Sequence, residues 1–200
     1  MTQTAFKQPA GVAMVKDILA SHLSVTETFF NGVATELDAL ADDVVACLSN
    51  GNKILLCGNG GSAADAQHIA AEFVGRFVKD RPSLPAIALT TDTSALTAIG
   101  NDYGFDEVFA RQTAGLGQMG DILIGISTSG NSKNVIRAFE VAQEKGIMTV
   151  LLAGRDGGAA VKLADKAFVV RHDVTAQIQE CHIMFLHTLC SLMEAKLGIE

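Results

Sequence analysis

From about Val12 to Leu48 apolar residues return at steps of three and four, as Val33, Leu37, Leu40, Val44 and Leu48 show. That is the period of an amphipathic helix. The run predicts helix in two pieces, stopped by Asn50-Gly51. Beyond it the pattern changes to short unbroken apolar runs at Lys53–Cys57, Ala86–Thr90, Asp121–Ile126, Ile147–Ala153 and Ala167–Val170, each read as a strand. Helical stretches separate them: one from the glycines after Cys57 to about Phe77, then Ser94–Ile99, Phe105–Leu116, Ser132 to Lys145, and a short one before the fifth strand. A long final helix starts near Thr175. Apolar strands alternating with helices predict a parallel α/β sheet covered on both faces. With no repeat, low-complexity tract or linker, residues 1–200 read as one domain. It comprises a helical segment at about 12–49, an α/β core at about 50–172 and a C-terminal helix at about 175–197.

Composition narrows the function. Hydrophobic residues make up 48% and charged ones only 18%, so some apolar surface is expected to lie between subunits of a homo-oligomer. A net charge of −7 argues against a nucleic-acid surface, and an anionic ligand would have to be held by local dipoles. Cys47, Cys57, Cys181 and Cys190 form no CxxC and sit in apolar patterns, as buried thiols of a reducing, cytoplasmic compartment would. The N-terminus lacks the basic-then-apolar order of a secretory signal. The apolar stretch Ile178–Leu192 is too short and too interrupted by Gln179, Glu180, His182 and His187 to span a membrane.

Two strands end in chemistry suited to a phosphate. Gly58-Asn59-Gly60-Gly61-Ser62 lets the backbone approach an anion, with a hydroxyl at the next helix start. Ser127, Thr128, Ser129 and Ser132 place four hydroxyls around Gly130 at the next such helix start. Ordinary serine caps are the bland reading, weakened by having two such loops. Gly58-x-Gly60-x-x-Ala63 fits a dinucleotide fingerprint only loosely, because Asp80 falls in a polar connection before Pro82. No Gly-Lys-Ser/Thr follows the glycines, which excludes a Walker loop.

His68 and Glu72 share one helix face, a spacing that suits two metal ligands or a base beside a polar partner, though a solvated pair is commoner. The final helix is apolar on nearly every side, so it reads as buried. Gln179 and His187, two turns apart, then need hydrogen bonds or a metal. Periodicity alone does not choose between His182 and His187.

Gly58-Asn-Gly-Gly-Ser-Ala-Ala-Asp-Ala-Gln-His68, Ala71-Glu72, Gly100-Asn-Asp102, Gly125-Ile-Ser-Thr-Ser-Gly-Asn-Ser132 and Gln179-Glu-Cys-His together resemble a sugar isomerase (SIS) domain, and more narrowly the phosphoheptose isomerases. The resemblance runs from about Leu37 to Leu197, and the first dozen residues match nothing in it. It implies a five-stranded, flavodoxin-like parallel sheet flanked by helices, with an N-terminal helical extension. It also implies a cytoplasmic homotetramer, one zinc per subunit, and interconversion of sedoheptulose 7-phosphate and D-glycero-D-manno-heptose 7-phosphate on the route to lipopolysaccharide heptoses. By motif, His68, Glu72, Gln179 and His187 match the zinc positions, which selects His187 over His182. Asn59, Gly60, Gly61, Ser62, Glu72, Asn101, Asp102, Ser127, Thr128, Ser129, Ser132 and Gln179 match substrate positions, and Glu72 with His187 the catalytic pair. A non-catalytic branch that binds the bacterial replication initiator is the main alternative, suggested by Arg81–Leu89. Retention of Glu72 and His187 favours the enzyme. A sugar-phosphate-sensing regulator would bring a basic DNA-binding segment, which is not seen.

Overall fold

A computed structural model of the chain describes residues 10–198. Residues 1–9, which hold most of the unmatched first dozen and the stretch read for a signal, lie outside them. Helix α1 (Ala10–Ser49) is one unbroken element, not the two pieces expected from sequence. It contains no proline, and Gly32 stays helical despite a cost of about 1 kcal/mol relative to alanine. Packing explains this: Phe29, Leu37, Leu40, Ala41 and Val44 are buried on both sides of Gly32.

The rest alternates as expected: β1 (Ile54–Gly58), α2 (Gly61–Val74), β2 (Ala86–Ala88), α3 (Thr93–Tyr103), α4 (Val108–Leu116), β3 (Ile122–Ser127), α5 (Lys133–Glu144), β4 (Met148–Gly154), β5 (Lys166–Val170) and α6 (Thr175–Lys196). All five strands are parallel, in the order β2-β1-β3-β4-β5. Along β1, Ile54 and Leu56 face the layer of α1, α2 and α6, while Leu55 and Cys57 face α4 and α5. Burial on both sides is what makes β1, β3 and β4 read as continuous apolar runs.

Several boundaries differ from expectation. Helix α2 stops at Val74, before Phe77, with Gly75 at its C-terminus. Helix α3 continues to Tyr103, so Asn101 and Asp102 are helical. Phe105–Leu116 divides into a 3-10 turn over Phe105–Glu107 and α4. Helix α6 is not buried all round: Thr175, Ala176, Glu180, Met184, Ser191 and Ala195 form an exposed stripe. All four cysteines are free and buried, with burial pushing Cys57 and Cys190 up to about 12. Among the described residues no helix is long and apolar enough to cross a membrane.

Candidate active site

Strand order reverses between β1 and β3, and in open parallel sheets the crevice at that point is where ligands collect. Both loops singled out by sequence lie there. The β1 loop leads to α2 through Gly60, whose φ of 57° is a left-handed conformation that favours glycine. Ser62 is the second residue of α2, and it is buried. Gly60 caps the helix instead, with no side-chain bond.

The β3 loop is stiff. Gly130 (φ 64°) sits so close to the turn after β4 that an added Cβ would lie 1.9 Å from the Gly157 carbonyl oxygen. Ala160 N–H donates to Gly130 O at 2.9 Å, and Ala159 N–H donates to Asn131 Oδ1 at 3.0 Å. Ser132 occupies the N-cap of α5 yet makes no capping bond. Its hydroxyl lies 2.8 Å from that of Ser127. The serines are therefore not simply helix caps. Thr128 and Ser129 are half-buried, and Ser129 Oγ accepts from Asn131 N–H at 3.2 Å.

Asn134 joins the two loops and was missed from sequence. Its amide and that of Asn59 exchange reciprocal bonds of 2.9 and 2.8 Å. A buried asparagine in the first turn of α5 carries no signal of a partner 75 residues away.

Helices α2 and α6 bring His68, Glu72 and His187 together, with a ligand atom of each inside one 4.8 Å cluster. His68 Nε2 lies 2.9 Å from His187 Nε2 and 3.5 Å from Glu72 Oε1. Two imidazole nitrogens and a carboxylate oxygen are a donor set suited to zinc, with coordination left open for a ligand. The fourth expected member, Gln179, is half-buried at the glycine loop: a Cβ on Gly61 would meet its Nε2 at 2.5 Å. Asn101 and Asp102 are exposed on α3, where Asn101 Nδ2–H donates to Asp102 Oδ1 at 2.8 Å.

His182 has a different setting. It is fully buried, donates from Nε2 to Ala153 O at 2.9 Å, and is pushed down to about 4 by burial, partly offset by that bond. It is a neutral core histidine. Asp65 was also missed. One turn before His68, it has a buried Oδ2 with no hydrogen-bond partner among the described residues, and burial raises its carboxyl pKa against the opposing pull of His68.

The model of the SIS domain family matches residues 18–154. A phosphoheptose isomerase of a Nitratiruptor species is 65% identical over 150 residues, 75% of this chain and 80% of the relative. One from Sulfurimonas denitrificans is 53% identical over 185 residues, 92% of this chain and 95% of the relative. The solved phosphoheptose isomerase of Neisseria gonorrhoeae superposes with a TM-score of 0.86 at 46% identity, covering 92% of this chain and 98% of the other.

Proposed function

The chain belongs to the SIS domain family, among its phosphoheptose isomerases, and from that premise we propose how its residues act on sedoheptulose 7-phosphate. The reaction moves a carbonyl from C2 to C1, giving D-glycero-D-manno-heptose 7-phosphate through an enediol. The observation that carries this reading is the convergence of Glu72 and His187 from separate helices.

The phosphate sits against the hydroxyls of Ser127, Thr128, Ser129 and Ser132 and the first amides of α5, where the helix dipole favours an anion. Asn59, Gly60 and Gly61, the backbone of Ser62, and Gln179 line the sugar chain, with Asn101 and Asp102 contributing from α3. Glu72 takes a proton from C1 of the ketose, exchanges it with solvent at the enediol stage and delivers a proton to C2, leaving the aldose. His187 moves the hydroxyl proton between O1 and O2, so that no full charge has to persist on either oxygen. His68, Glu72 and His187, with the Gln179 amide oxygen, would hold one zinc per subunit. When bound, it supplies polarisation of the C1 and C2 oxygens.

Val12, Met14, Val15, Ile18, Leu19 and Leu23 are exposed along the first turns of α1. Covering them between copies of the chain supports a homotetramer. The buried thiols and the product suit a cytoplasmic step that feeds lipopolysaccharide heptose synthesis. Incubation with sedoheptulose 7-phosphate, followed by NMR, tests the reading. An aldose signal is expected, and none from pure, zinc-loaded protein would leave the initiator-binding or sensor alternatives.

A further inference from the structure

Residues 75–85, between α2 and β2, form no regular element, yet they are held from within. Three successive amides, of Phe77, Val78 and Lys79, donate to the Glu194 carboxylate at 3.2, 3.2 and 3.1 Å. Arg81 Nε–H donates to the same carboxylate at 3.0 Å. Its remaining nitrogens donate to the carbonyls of Glu72 at 2.6 Å, Phe73 at 2.8 Å and Pro82 at 3.2 Å. The two side chains are only 1% and 4% exposed.

A buried ion pair of this kind is weak evidence for stability, because desolvation offsets much of its attraction. Its placement says more. Arg81 binds the backbone carbonyl of Glu72, and Glu194 lies two turns beyond His187 on α6. A single pair thus ties the helix end that carries the base to the helix that carries its partner. The guanidinium also satisfies carbonyls that α2 leaves unpaired at its C-terminus.

The clamped loop carries Phe77, whose ring stacks on the His187 imidazole with centroids 5.5 Å apart and planes at 26°. His68 meets the same imidazole edge-on at 5.1 Å and 79°. We propose that Phe77, held by the buried Arg81–Glu194 pair, is a positioning residue that sets the plane of the His187 ring and keeps its Nε2 edge on Glu72 and His68. This rests on the isomerase reading above.

The test uses the zinc-loaded, full-length protein with Phe77→Leu, Phe77→Tyr and Glu194→Gln. Phe77→Leu should lower kcat about tenfold while KM stays within about twofold, the pattern of a misplaced proton-transfer group. Phe77→Tyr, which keeps the ring, should restore kcat to within about twofold of the parent. Ring-proton NMR of His187 adds a readout independent of turnover: the upfield shift from the stacked phenyl should vanish in Phe77→Leu and persist in Phe77→Tyr. Glu194→Gln should lower kcat in the same manner, and if it fails to fold the Phe77 pair decides. Parental kcat in Phe77→Leu, or a change in KM alone, would overturn the proposal. Inactivity of the parent protein would instead overturn the isomerase reading, and the two failures are distinct.

Discussion

His68 and His187 are 119 residues apart, yet their Nε2 atoms stand 2.9 Å from each other. In that pair one ring nitrogen donates and the other accepts, and zinc bound by both would require both lone pairs. The contact joins the helix leaving the glycine loop to the last helix of the chain. Glu72, one turn along from His68, thereby faces the same opening.

Ser129→Ala should chiefly weaken binding of the phosphate, by roughly 1 kcal/mol or somewhat more, the worth of one charge-assisted hydrogen bond. A steady-state comparison checks it. KM should rise several-fold with little change in kcat, whereas an unchanged KM would remove Ser129 from the phosphate site.

Asn134→Leu leaves the Asn59 amide without the partner it has across the crevice. An unsatisfied, partly buried amide should cost about 1–3 kcal/mol in denaturant unfolding. Because the two loops lose their bridge, KM should rise as well. A variant as stable as the parent would show that the bridge contributes little.

Protein purified without added metal should contain about one zinc per subunit, held at the cluster of His68, Glu72 and His187. Elemental analysis checks this directly. His68→Ala should lose most of the metal while remaining folded by circular dichroism.

His182 makes stability fall in mild acid. Its folded pKa of about 4 lies below the ordinary 6.5, so the unfolded chain binds the extra proton in the window between them. Stability from this group is complete above about pH 6.5 and is lost as the pH drops towards 4, with about 2 kcal/mol gone by pH 5. Urea unfolding at pH 7.5 and pH 5 should show that difference in the parent protein. In His182→Gln it should be smaller by about the same amount.

The central strands β1, β3 and β4 were legible because they are buried on both faces and therefore unbroken in their apolar runs, as Ile54–Cys57 is. His68 and Glu72 were legible as neighbours because helical spacing alone places them on one face. What depends on distant partners was not. Asn134 and Phe77 gain their meaning from Asn59 and His187, far away in the chain, and α1 stays whole across Gly32 because of what packs against it. Periodicity left His182 and His187 open for the same reason. The Ala153 carbonyl makes one a core residue, and His68 makes the other part of the cluster.

Proton exchange with solvent tests the central claim most directly, since Glu72 is assigned the carbon-bound proton and His187 the oxygen-bound one. In D2O with sedoheptulose 7-phosphate, the parent protein should place deuterium at C1 of the ketose and C2 of the aldose, as followed by NMR. Folded Glu72→Gln should do neither, slowed by roughly 10³-fold or more, and His187→Ala should form aldose at a similarly reduced rate. Deuterium entering at the parental rate in Glu72→Gln would contradict the account.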